Sequence, residues 1–330
     1  MNNSNSENEM SRTTFFSKII SFFKREKITF LALVAIMIFG ILFPLSKLCY
    51  RELGVVTTAD VFLFAGIRFS LCGGFLTLLS IGRRGEDFKC VKGNFLSILL
   101  IGLFAFILHY AFTYSALLVT DASKSALIKQ IGPLLYICLS FLFFKEDKLT
   151  VRKLVGGFLG FAGIIAINIT SLGVAFSVGD VLLLLASLCT VFSSVIGKKV
   201  YVKVNQFIAA GISQLFGGLV MLLLGIAMGG GIHLLSPIST VFLILLCIAS
   251  VVSYCFWPYV LKHADISKLF IIKFAEPLFA CLFGAMLLGE DILKWQYLVA
   301  FVLICGGIVV ANLKKKPKSE PLPEINDNEG

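Results

Sequence analysis

The sequence predicts an all-α polytopic membrane protein, with ten transmembrane helices arranged as two inverted five-helix repeats. Composition, run length and an internal copy carry this reading. Hydrophobic residues make up 58% of the 330 positions and charged residues 15%, against about 45–50% and about 25% in soluble domains. A water-soluble globule of this composition would lack the polar residues to cover its surface. The same figures exclude disorder, collagen, coiled coil and a small disulfide scaffold. The apolar residues fall into runs near the length of about 20 residues that crosses ~30 Å of hydrocarbon at 1.5 Å rise per residue.

The runs place spans at 28–48, 60–81, 94–117, 121–144, 151–169, 179–197, 205–228, 239–261, 266–288 and 295–313. Before the first, residues 13–27 alternate Phe15, Phe16, Ile19, Ile20, Phe22 and Phe23 with Lys and Arg. Such an amphipathic segment is expected to lie on the membrane surface. No cleavable leader is expected, because residues 1–14 are polar and the first long apolar run starts only at Ile28. Gly156, Gly160 and Gly163 in the fifth span, and Gly306-Gly307 in the tenth, mark close helix packing. The Lys-Pro-acidic stretch after Leu313 reads as a disordered tail. The chain therefore divides into a tail with an amphipathic segment (1–27), a first repeat (28–170), a second repeat (171–313) and a closing tail (314–330).

Charge orients the spans. Of 29 Lys and Arg, 22 fall on one side of the predicted membrane and Lys47, Arg51, Lys124 and Lys294 on the other. The positive-inside rule then puts both termini in the cytoplasm. The net charge of +10 belongs to topology and lipid headgroups, not to nucleic acid. The nine Cys are scattered with no C-x-x-C and read as small buried hydrophobes.

Residues 109–168 align with 253–312 at a constant offset of 144, without a gap. Asp121, Ser123, Lys124, Lys129 and Pro133 meet Asp265, Ser267, Lys268, Lys273 and Pro277, and Glu146-Asp147 meets Glu290-Asp291. Apolar composition alone would match Leu, Ile and Val, not Lys, Asp, Pro and Glu, so the chain is a duplication. Five spans per copy is an odd number, which turns the second copy upside down. Inverted repeats are typical of alternating-access carriers, with substrate held near the midplane at their interface.

Three basic residues remain inside spans: Arg68, Lys129 and Lys273. The two lysines lie about 12 Å from opposite membrane faces at 1.5 Å per residue. A charge at that depth costs roughly 2.5–3.5 kcal/mol on insertion scales. Pro133 and Pro277 follow four residues later, and a helical Pro withholds the donor from the carbonyl of residue i−4, here Lys129 and Lys273. Each copy is thus expected to offer an ammonium and a free carbonyl at one kink. Ser123 and Ser267 precede the lysines by six residues. Glu276 can pair with Lys273 at i+3. Its counterpart is Gly132, so Lys129 has no built-in partner, and a substrate carboxylate would restore balance. The alternative is that the lysines snorkel or pair with helix-end acids and act only as gates.

Tyr110 and Tyr114 in the third span, and Tyr254 and Trp257 in the eighth, could face a flat ring or an onium group. The alternative is an interfacial belt or lipid-facing packing. His109, within a span, could carry a coupling proton or satisfy a packing role.

These features resemble the drug/metabolite transporter superfamily, EamA type. The resemblance rests on 40-GILFPLSK-47, on Arg68, on the run 114–146 through Pro133 to Glu146, and on its copy 259–290. Phe39 stands where the family commonly carries Trp. The resemblance implies ten helices in two repeats, and a basic residue at Arg68 whatever the substrate. It also implies cargoes such as amino acids, drugs or riboflavin, or S-adenosylmethionine exchanged for S-adenosylhomocysteine as in carriers of obligate intracellular bacteria.

The sequence leads to the expectation of a secondary carrier in a bacterial inner membrane, moving a small organic, carboxylate-bearing metabolite by proton exchange or antiport. Its site comprises Lys129, Lys273, Tyr110, Tyr114, Tyr254, Trp257, Ser123 and Ser267, with Glu276, His109, Pro133, Pro277 and Arg68 in coupling or gating. A proton-driven exporter is the nearest alternative, and an intramembrane enzyme or a scaffold the more distant one. No G-x-x-x-x-G-K-[ST], H-E-x-x-H or G-x-S-x-G occurs. No catalytic residue, metal, cofactor or nucleic acid is expected. The partners are the substrate and the bilayer, for a monomer or a homodimer.

Overall fold

A computed structural model describes residues 3–81, 87–117, 128–145, 147–168, 177–232, 237–289 and 295–313. For some of these, among them residues 3–26 and Tyr114, only the backbone is described. The helices are α1 (Asn3–Leu53), α2 (Thr58–Ile81), α3 (Asp87–Gly102), a π-helical turn (Leu103–Leu108) and α4 (His109–Leu117). They continue with α5 (Ile131–Phe143), α6 (Val151–Asn168), α7 (Val178–Lys203), α8 (Gln206–Ala227) and α9 (Pro237–His263). The last three are α10 (Ile266–Lys273), α11 (Glu276–Leu288) and α12 (Trp295–Asn312). Among the described residues there is no strand.

Among the described residues, seven stretches are long and apolar enough to cross a membrane, and α12 holds a shorter one, Leu298–Ala311. The helices α5 and α6 supply the fourth and fifth spans, flanked by residues outside those described. The first span differs from expectation. The backbone of the amphipathic segment is not a separate surface helix but runs straight into the span as part of α1. At 1.5 Å per residue α1 is roughly 75 Å long, more than twice the hydrocarbon thickness.

Helix starts are set locally. Asp60 accepts from the Thr57 amide at 2.8 Å while Thr57 Oγ1 accepts from the Asp60 amide at 3.2 Å, a reciprocal cap that satisfies otherwise orphaned donors. The second carboxylate oxygen of Asp60 reaches the Gly231 amide, 2.8 Å away and 171 residues on, fastening the start of α2 to the segment after α8.

Packing follows the duplication. The helix α2 lies against α8 and α6 against α12, each pairing a span with its own counterpart. Contacts of α1 with α9 and α11 are echoed by those of α7 with α4 and α5, as a two-fold relation between repeats requires. Close approach explains the glycines. A Cβ on Gly73 would sit 2.3 Å from the Leu215 amide nitrogen. One on Gly156 would sit 2.6 Å from the Gly307 carbonyl oxygen, and one on Gly307 2.5 Å from that of Gly156. Gly306, expected to pack similarly, has nothing within 4 Å.

Candidate functional site

The lysines stand where two spans break. The ninth span is not a kinked helix but two helices, α10 ending at Lys273 and α11 beginning at Glu276. Amides of Phe274 and Ala275 close back on Ile271 and Ile272 carbonyls at 3.2 and 3.0 Å, a tightened last turn, and Pro277 opens α11, where its missing N–H costs nothing. The fourth span repeats the device. Residues 128–129 are helical, Gln130 is a turn, and α5 starts at Ile131 with Pro133 in its first turn. Discontinuous helices are tolerated at membrane depth only inside protein or beside a water-filled cavity.

The carbonyl freed by Pro133 is not left open, contrary to the sequence expectation. Ser187 of α7 donates its hydroxyl to the Lys129 carbonyl at 2.6 Å and accepts the Gly132 amide at 2.7 Å. One side chain thus occupies both backbone groups of the break. No sequence signal marked Ser187, which lies 58 residues from Lys129.

Lys273 Nζ lies 4.0 Å from Glu276 Oε2 and 5.5 Å from the Trp257 ring centre. Their side chains keep 21% and 14% of their surface accessible, as a cavity wall would. Among the described residues, Glu276 Oε2 accepts no hydrogen bond. Lys129 is within the electrostatic reach of both Glu276 and Lys273, while the ion pair of Glu276 is with its i−3 neighbour, Lys273. His109 lies within reach of both lysines. Its Nδ1 is 3.0 Å from the Ala186 carbonyl and 3.1 Å from Thr190 Oγ1. A carbonyl only accepts, so Nδ1 carries hydrogen and Nε2 remains for other contacts. The π turn immediately precedes His109, and such wide turns are frequent at functional sites.

Aromatic rings wall this region. Phe39 stands edge-on to Tyr254 at 5.8 Å and to Trp257 at 5.9 Å, and Tyr110 and Tyr254 pack around Phe69 and Phe106, at 5.0 and 5.4 Å. The first, third, eighth and ninth spans therefore converge on the lysine pair, with the α5 break beside them. Arg68 lies within electrostatic reach of Tyr110 and Tyr254. It is buried, donates from Nε to Ser250 Oγ at 3.0 Å and stacks on Phe69 at 4.9 Å, tying α2 to α9. Ser267 is fully buried and donates to Asp147, so its hydroxyl is engaged at the start of α10 and not beside Lys273. Ser123 and the Tyr114 side chain fall outside what is described. No group of three or more His, Cys, Asp or Glu fit for a metal occurs among the described residues.

The profile of the EamA-like transporter family matches residues 26–169 and again residues 177–313. The chain belongs to the EamA-like transporter family. It is a polytopic membrane transporter. The uncharacterized inner membrane transporter YedA of Escherichia coli (strain K12) is 26% identical over 302 residues, covering 88% of this chain and 96% of that one. The uncharacterized transporter YvbV of Bacillus subtilis (strain 168) is 26% identical over 300 residues, covering 90% and 95%. An uncharacterized transporter of Archaeoglobus fulgidus is 26% identical over 239 residues, covering 70% and 81%. One crystal structure superposes with a TM-score of 0.71 at 19% identity, over 87% of this chain and 96% of that one, a likeness of fold alone.

Proposed function

We propose that this EamA-family transporter is a secondary carrier of a small carboxylate-bearing metabolite, working by alternating access in a bacterial inner membrane with both termini cytoplasmic. The single observation that supports the cargo is the charge at the two breaks. Glu276 pairs with Lys273 and lies within electrostatic reach of Lys129, leaving one positive charge uncompensated among these three groups. A substrate carboxylate neutralises it through a charge-assisted hydrogen bond. The partly accessible ammonium of Lys273 and the aromatic wall of Phe39, Tyr254 and Trp257 suit a cargo with a flat or onium group at its other end. S-adenosylmethionine exchanged for S-adenosylhomocysteine is therefore the first pair to assay, beside amino acids. The 22-to-4 excess of basic residues supports the orientation.

The test begins with uptake of labelled metabolites into proteoliposomes loaded with candidate counter-substrates. For each cargo found, Lys129→Ala is compared on the acid and on its amide or ester. Loss of one charge-assisted hydrogen bond of about 1.5–3 kcal/mol weakens the acid roughly ten- to a hundredfold and leaves the neutral analogue nearly unchanged. Equal loss for both analogues removes the carboxylate reading and makes Lys129 a gate residue.

A further inference from the structure

At the lysine-rich end of the bundle a buried polar network joins the two repeats. Asp147, in the segment between α5 and α6, accepts from Ser267 Oγ at 2.8 Å and from the Ser267 amide at 3.3 Å, 120 residues away. It also accepts from Tyr136 at 3.3 Å and forms an ion pair with Lys153. Lys153 in turn donates to the Lys148 carbonyl at 3.1 Å and lies 4.0 Å from Asp265, which Lys268 approaches to 3.7 Å. The carboxylate thus caps the first turn of α10 from the other repeat, satisfying a donor that the helix's own N-cap residue, Asp265, leaves unbonded. Around it, Tyr136, Ile266, Phe270 and Ile271 are fully or almost fully buried, with the Tyr136 and Phe270 rings edge-to-face at 5.0 Å.

We propose that Asp147, Lys153 and Ser267 form a latch that holds the lysine-rich end of the transporter shut and must open in each transport cycle. This rests on the alternating-access reading above. Two features distinguish a latch from a permanent strut. The ion pair of Asp147 with Lys153 lies within one repeat, whereas the hydrogen bonds to Ser267 and the looser 4.0 Å approach of Lys153 to Asp265 cross to the other, where Asp265 has its own cation in Lys268 at 3.7 Å. Separation of the repeats therefore leaves each carboxylate with a cation of its own repeat, Asp147 with Lys153 and Asp265 with Lys268, and avoids the large penalty of an unpaired buried charge. The second feature is mechanical. The helix α10 runs from Ser267 at the latch to Lys273 in the candidate site, about 10 Å at 1.5 Å per residue. Being uncoupled from α11 by the break at 274–275, it can tilt as one rigid piece, so the state of the latch and the position of Lys273 change together. The second copy has Tyr297 and Ala280 in place of Lys153 and Tyr136, so the complete set of residues belongs to this end.

The test reads side-specific accessibility and needs no substrate. The full chain carries one reporter cysteine below the latch (Ile272→Cys) or one beside the aromatic wall (Phe39→Cys). A membrane-impermeant maleimide is applied to spheroplasts and to inside-out vesicles, and labelling is quantified peptide by peptide by mass spectrometry, which separates the reporter from the native cysteines. Ser267→Ala should speed labelling at position 272 from inside-out vesicles about tenfold and slow labelling at position 39 from spheroplasts. The charge-free pair Asp147→Leu with Lys153→Met keeps no unpaired buried ion and should shift both reporters the same way, even if Ser267→Ala reduces yield. Faster labelling at both positions together, or no change at either, overturns the latch and leaves a strut. Reciprocal changes seen from the opposite membrane sides support the latch and overturn only the assigned orientation. Failure of every uptake assay alongside reciprocal labelling would count against the cargo, not the latch.

Discussion

Ser187→Ala removes one hydroxyl and strands two backbone groups at the α5 break. In the native protein that hydroxyl donates to the Lys129 carbonyl at 2.6 Å and accepts the Gly132 amide at 2.7 Å, and the residue is buried. An unsatisfied buried donor or acceptor costs about 1–3 kcal/mol. Two such groups therefore cost about 2–6 kcal/mol, at the low end if a water enters the space vacated by the hydroxyl. At roughly 2–4 °C per kcal/mol for chains of a few hundred residues, Tm falls by at least about 4 °C. The assay is a fluorescence melt in detergent, read from Trp257 and Trp295. Ser193→Ala is the matched control on the same helix. Its hydroxyl only bonds the Thr190 carbonyl at 3.0 Å, one turn back within α7, so its loss costs less than about 1 kcal/mol. A Ser187→Ala melt within about 1 °C of the control would refute the argument that this side chain holds the break closed. A large fall in Tm should also lower affinity for the acid cargo, because the Lys129 backbone loses its anchor.

Gly73→Ala drives a Cβ to 2.3 Å from the Leu215 amide nitrogen, whereas Gly306→Ala meets nothing within 4 Å. The first should sharply reduce yield in membranes, while the second should match wild type or gain up to about 1 kcal/mol from helix propensity, as measured by size-exclusion recovery and melting. Lys273→Ala leaves Glu276, whose Oε2 has no hydrogen-bond donor among the described residues, facing only Lys129. Expression should fall, and Lys273→Ala with Glu276→Ala should restore it. Equal yield of the single and double variants would show that the pair carries no folding role.

The membrane-spanning helices, the duplication and the two Lys–Pro units were legible in the sequence because each is local or periodic. An apolar run declares its own length, and an offset of 144 needs no coordinates. A buried lysine near a Pro declares a cost wherever the helix is placed. Glu276 was likewise readable as a partner of Lys273, since i+3 on a helix is a fixed neighbourhood. The Glu146-Asp147 repeat was visible too, but its use was not.

Partnerships between helices were decided only by tertiary structure. Ser187 is one of several hydroxyls on α7, and nothing along the chain selects it for the Lys129 carbonyl. The selection comes from α7 approaching so closely that a Cβ on Gly132 would meet its hydroxyl at 2.2 Å. Ser267 has the same spacing to its lysine as Ser123, which suggested a role beside the substrate. Docking of the first repeat against the start of α10 turned it to Asp147 instead. The approach of Lys129 to Glu276 and Lys273 likewise required the fourth and ninth spans to meet. Helix length and position follow from the transfer of side chains into lipid, a property of each segment alone. Polar pairing inside the bundle follows from which backbones can approach, and that depends on small residues far apart in the chain.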